Sequence, residues 1–139
     1  MNASTGEPQI NEMVGAYWTT DNTTGYGLID INGSLSSFAY PAHTNETEAD
    51  GINNLNQVVG EYNDLDQAAG YGFLYVSGQY SLVNPADPNS VGSGAFGIND
   101  AGWIVGTWWD SDGNAHCFLG PVHTTGAVAT RANFSQFEE

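Results

Sequence analysis

The chain has 139 residues, enough for one compact domain, and 40% of them are hydrophobic, enough for a core. Sixteen Asp and Glu stand against a single base, Arg131, for a formal charge of −15. Phosphate binding and attraction to anionic lipid both draw on Lys and Arg, so neither nucleic acid nor a membrane surface is an expected partner. One cysteine, Cys117, excludes an internal disulfide and a multi-cysteine metal site. No apolar run approaches the length of a membrane span, so membrane insertion is not expected. The opening MNASTGEPQ lacks the basic and apolar regions of a signal peptide, and none is visible.

Glycine marks the period. GEPQINEMVG (6–15), GINNLNQVVG (51–60) and GINDAGWIVG (97–106) each open and close on glycine, and Gly6, Gly51 and Gly97 follow at steps of 45 and 46 residues. A fixed period of that size indicates a repeat architecture whose units bury their faces on one another. The chain therefore reads as one repeat domain over 1–139, with unit 1 at 6–50, unit 2 at 51–96 and unit 3 at 97–139. Copy one departs from the others, carrying Glu7-Pro8 in place of Ile-Asn.

Within each unit the elements follow in a constant order. After Gly15, Gly60 and Gly106 comes an aromatic at Tyr17, Tyr62 and Trp108. A polar loop follows, and then YGLIDI (26–31), YGFLYV (71–76) and HCFLGP (116–121) align residue by residue. Asn32-Gly33 and Ser77-Gly78 suit tight hairpin turns with positive φ, leading to strands around Leu35–Tyr40 and Tyr80–Val83. A fourth, shorter strand is expected just before or through the Gly-Ile-Asn step. No segment has an apolar stripe of helical period, so the expected fold is all-β with essentially no helix. In the tail, TTGAVATRANFSQFEE (124–139) carries a plausible strand around Val128, and its exchange into a neighbouring chain is one expectation.

The strand interiors separate the architectures. Val58-Val59, Ile104-Val105, Phe73-Leu74 and Phe118-Leu119 are apolar on both sides of the pleat, as in sheets covered on both faces. Gly15, Gly60 and Gly106 fall inside strands, where glycine marks a bulge or the close approach of another backbone. These features suit three tandem four-stranded β-meander units of about 45 residues, arranged as β-propeller-like blades. A threefold β-trefoil or β-prism is the alternative. Three blades leave two apolar faces bare, which calls for association with copies of the same chain, as a ring or a filament.

The pattern G-I-N-x-x-G-x-[IV]-V-G, then a loop and a His-Ala-Phe-like triplet with Leu, resembles the HAF-type bacterial extracellular repeat. The triplet is Tyr26-Gly27-Leu28, Tyr71-Gly72-Phe73 and His116-Cys117-Phe118 here. The resemblance covers nearly the whole chain and is strongest in copies two and three. It implies a secreted or surface-displayed β-repeat protein, and it brings no catalytic motif.

Candidate sites are few. The recurrence of Tyr17, Tyr62 and Trp108 marks them as the core of the repeat interface, since large aromatics dominate such contacts. Trp18 and Trp109, one residue further on, point to the opposite face beside Asp- and Asn-rich loops, and form a candidate glycan platform. Asp110, Asp112 and Asn114 place oxygens at alternate positions and are a candidate calcium site, without the remainder of an EF-hand loop. His43, His116 and His123 are too scattered for a metal set. Cys117, with no base near it in sequence, reads as a buried inert thiol. No nucleophile elbow, phosphate loop or zinc-protease motif occurs. The expected function is a non-enzymatic, extracellular or cell-surface module that self-associates, with a carbohydrate-binding, lectin-like module as the alternative.

Overall fold

The structure, a computed structural model, describes residues 12–85 and 87–121. The opening of the first copy (Gly6, Glu7, Pro8) and the expected strand around Val128, with its exchange, lie outside the described residues.

Ten strands and no helix occur among the described residues: β1 (Glu12–Trp18), β2 (Gly25–Ile31), β3 (Ser34–Phe38), β4 (Thr47–Ile52), β5 (Val58–Asp64), β6 (Ala69–Val76), β7 (Gln79–Val83), β8 (Ser90–Ile98), β9 (Trp103–Asp110) and β10 (Ala115–Pro121). They form three antiparallel sheets in chain order: β1-β2-β3, β4-β5-β6-β7 and β8-β9-β10. Within each sheet the connections are hairpins, because each strand pairs with its neighbour in sequence; the β3–β4 and β7–β8 connections cross from one sheet to the next. At Asn32-Gly33 and Ser77-Gly78 both residues have positive φ (53° and 82°, 49° and 84°), the geometry that lets a two-residue loop follow the twist of its strands. Among the described residues no helix is long and apolar enough to cross a membrane.

The middle sheet carries the core because it is apolar on both faces. Val58, Tyr62 and Phe73 meet Ile29 of the first sheet, with Val14 and Phe38 packed around them. Val59, Leu74 and Val83 meet Ala95, Ile104, Trp108 and Phe118 of the third sheet. Alternation along β5 sends Val58 one way and Val59 the other. Each fully buried Val, Leu or Phe contributes about 1.5–3 kcal/mol.

The strand expected just before or through the Gly-Ile-Asn step is present as β4, of six residues, and as β8, which at nine residues is the longest described strand and not a short one. Each carries a bulge, between Ala49 and Gly51 and between Ala95 and Gly97. The middle sheet thus begins at Thr47 and the third at Ser90, ahead of the glycines that mark the period. The bulged strands explain the glycines opposite them. A Cβ on Gly60 would collide with the Glu48 carbonyl oxygen, and one on Gly106 with that of Gly94. Gly15 has no such neighbour among the described residues.

Candidate functional site

The repeat places one set of positions in three different surroundings. Met13, Tyr17, Tyr26 and Leu28 belong to one face of the first sheet, fixed by the pairing of Tyr17 with Tyr26 and of Gly15 with Leu28. In the middle sheet the same positions are Val58, Tyr62, Tyr71 and Phe73; in the third they are Ile104, Trp108, His116 and Phe118. Tyr62 and Trp108 are 5% and 4% exposed, pressed against the preceding sheet, whereas Tyr17 is 41% and Met13 53% exposed. The ring pair recurs: Tyr17 stacks on Tyr26 with centroids 5.3 Å apart, and Trp108 on His116 at 4.2 Å. This surface of the first sheet is the head face.

The opposite end is its counterpart. Val105 and Leu119, on the outer side of the third sheet, correspond to Val59 and Leu74, which the third sheet covers. Val59 is fully buried and Val105 is 48% exposed. Trp103 and Phe96 are exposed beside them. This surface is the tail face. Each end of the described chain is therefore a mainly apolar sheet surface whose counterparts are buried inside it, although the head face also carries Asp30, opposite Met13.

Polar groups tie the sheets together at one rim. The buried Asn53 donates from Nδ2 to the Asn99 carbonyl (2.9 Å) and to Gln57 Oε1 (2.7 Å), while its Oδ1 accepts from the Leu55 and Gln57 amides. Beside it, Asn54 donates from its amide and Nδ2 to the two Asp100 carboxylate oxygens, at 2.8 and 2.6 Å. Those bonds hold the Asp100 carboxyl below the usual carboxylate range. The Gly-Ile-Asn turn of one copy is thus clamped to that of the next. Ser93, buried in β8, adds a second tie: it donates to the Val83 carbonyl (2.7 Å) and accepts from the Gly72 amide (3.0 Å). The identity of Gly-Ile-Asn in two copies is the sequence signal for this asparagine, used above only to mark the repeat; its partner, a turn 46 residues away, could not be read from spacing.

Trp18 and Trp109 lie in different sheets and do not form one platform. Trp18 lies over its cross-strand partner Gly25, its indole 3.1 Å from where a Cβ would stand. Trp109 lines a cleft of about 270 Å³ with Glu46, Glu61, Asn63, Val91 and Gly92. In the candidate calcium loop, Asp110 caps its own turn. Oδ1 accepts from the Asp112 and Asn114 amides, and Oδ2 from Asn114 Nδ2 and His116 Nε2 (2.9 Å). The bonds from His116 and Asn114 hold the Asp110 carboxyl well below the usual range. Asp64 caps the matching loop, accepting from the Asp66 and Gln67 amides. Among the described residues no group of three or more His, Cys, Asp or Glu is placed to hold a metal.

Carboxylates crowd the edge of the middle sheet. Glu48 and Glu61 are directly opposite in the β4–β5 pairing, a like-charge arrangement that destabilises. Burial, a hydrogen bond with Glu46 and repulsion from Glu46, Asp50 and Glu61 push the Glu48 carboxyl up to about 7. Burial also raises Asp50 and Glu61.

Cys117, expected as a buried thiol, is exposed. It occupies the position of Gly72, where a Cβ would meet the Val83 oxygen at 2.8 Å and the Ala95 nitrogen of the third sheet at 3.0 Å. Among the described residues no sheet lies beyond the third, so a side chain fits there.

Comparison of the chain with protein-family models, with curated proteins and with solved structures finds no match.

Proposed function

We propose that the chain is a non-enzymatic, extracellular β-repeat module that works by joining copies of itself into a homo-oligomer or surface filament. The observation that carries this reading is the pair of bare apolar faces, head and tail, whose counterparts inside the chain are buried. Contiguous apolar surface of that kind marks an interaction site. The sheets are read as propeller-like blades of a tandem unit, with the four-stranded middle sheet as the complete example. Face-to-face packing in chain order supports blades over a trefoil or prism.

The extracellular setting rests on two further points. The Gly-Ile-Asn and aromatic-x-Phe pattern resembles the HAF-type extracellular repeat. A single Arg and no Lys leave almost no trypsin-type cleavage sites, and they remove the lysines that ordinarily blunt sheet edges. Multi-angle light scattering on the purified chain at micromolar concentration tests the reading. A mass above one chain, growing with concentration, is expected; a strictly monomeric species overturns it.

The Trp109 cleft favours a second reading, a carbohydrate-binding module. An indole flanked by Glu46, Glu61 and Asn63 offers a stacking surface with hydrogen-bonding groups for sugar hydroxyls. Titration against a broad glycan panel, read by tryptophan fluorescence, is the test, and Trp109→Ala must abolish any response.

A further inference from the structure

We infer that the head face of one copy seats on the tail face of the next, so that copies join in one direction through a single kind of joint. This rests on the self-association reading and gives it a geometry. The occupant of each bare face is a second copy of this chain, because the chain already makes the same joint twice within itself.

The two internal joints are built from equivalent positions. At each, the Val58 or Ile104 type face of the later sheet meets the Val14, Ile29 or Val59, Leu74 type face of the earlier one. No joint in the chain pairs two faces of the same type. The head face is the first kind, presenting Met13, Tyr17 and Leu28; the tail face is the second, presenting Val105 and Leu119. Pairing head with tail continues the internal series. Pairing head with head would set the Tyr17–Tyr26 ring stack against its own copy, an arrangement with no precedent in the chain. The joint is therefore heterologous, and it makes a ring if the rotation closes and a filament if it does not.

The tail also carries an unused half of the clamp. Asn53 Nδ2 bridges to the next copy's Asn99 carbonyl, whereas the Asn99 side chain makes only the bond from the Trp103 amide to its Oδ1. Its Nδ2 has no hydrogen-bond partner among the described residues, where the equivalent Asn53 Nδ2 has two. One residue departs from the internal joints. Cys117 adds an exposed side chain where Gly72 has none.

Two variants with exposed, face-specific changes test the direction: Tyr17→Asp blocks the head and Val105→Asp blocks the tail. Both positions are exposed, and unchanged melting transitions confirm that the fold is intact. Each variant alone is expected to run as a monomer, with self-affinity at least about tenfold below that of the unaltered chain. An equimolar mixture is expected to give dimers and nothing larger, since one good tail meets one good head. Cys117, the chain's only thiol, reports which face is covered. In the mixture, alkylation should slow on the Tyr17→Asp chain, whose tail is engaged, and not on the Val105→Asp chain. Dimers of either variant alone, or a mixture of two monomers, overturn the head-to-tail joint while leaving self-association standing. A monomeric unaltered chain overturns the self-association reading itself.

Discussion

Gly60 and Gly106 hold positions that no larger residue fits, because a bulged strand carries a carbonyl over each of them. Ala at either site must push β4 or β8 aside, and overpacking of this kind costs about 1–3 kcal/mol. The same substitution at Gly15 meets nothing within 4 Å among the described residues, and there the loss of chain freedom in the unfolded state favours Ala by roughly 0.4–1 kcal/mol. Urea denaturation of the three variants should show two clear losses and no loss at Gly15, although the three glycines are indistinguishable in the repeat. Asn53 is the other residue whose role is set by its surroundings. Asn53→Ala removes the bridge to Asn99 and leaves the Leu55 and Gln57 amides without their acceptor, at a cost of about 1–3 kcal/mol. Asp100→Ala, at the exposed half of the clamp, should cost less, and the same urea series ranks the two.

At the scale of strands, the β4–β5 pairing sets Glu48 against Glu61 and makes the middle sheet sensitive to pH. The Glu48 carboxyl, ordinarily at 4.5, is raised to about 7 in the fold. A raised carboxyl means that the folded chain holds a proton which the unfolded chain has released. The linked stability is fully present below 4.5 and is lost as pH rises through about 7. Melting temperature should therefore climb as pH falls from 8 to 5. Glu48→Gln should raise the melting temperature at pH 8, by on the order of 1–3 °C because solvent still screens a half-buried group. It should leave the value at pH 4.5 nearly unchanged. A pH-independent difference would assign the effect to packing. The same strand shows where sequence reading ran out. β5, β6, β9 and β10 were legible because apolar pairs such as Val58-Val59 stand out in a polar chain. β4 and β8 present Thr47, Ala49, Ser93 and Ala95 to the core, small residues selected by the closeness of the adjoining sheet, and so they resemble loop. The aromatic position of the candidate interface was legible from its recurrence at Tyr17, Tyr62 and Trp108. The Asn53–Asn99 clamp was not, since it depends on two turns meeting in space.

For the whole molecule, charge and apolar ends act against each other. Each copy carries a formal charge of −15, so approach of two copies is opposed at long range. With one Arg and no Lys in the chain, a network of ion pairs between copies is not available to offset that repulsion. In the head-to-tail joint proposed above, the contact that remains is mainly apolar, Met13, Tyr17 and Leu28 against Val105 and Leu119, with Asp30 on the head side. Salt then acts in one direction, because it screens the repulsion and leaves burial of apolar surface intact. The screening length falls from about 30 Å at 0.01 M to about 8 Å at 0.15 M, shorter than the width of one packed pair of sheets. Sedimentation at fixed protein concentration should show larger species at 0.5 M NaCl than at 0.01 M, with most of the change complete by 0.15 M. Sulfate should act more strongly than chloride at equal ionic strength, since it also strengthens apolar burial. Dissociation on adding salt would mean that charged groups hold the copies together, and the apolar end faces would then have no part in the assembly.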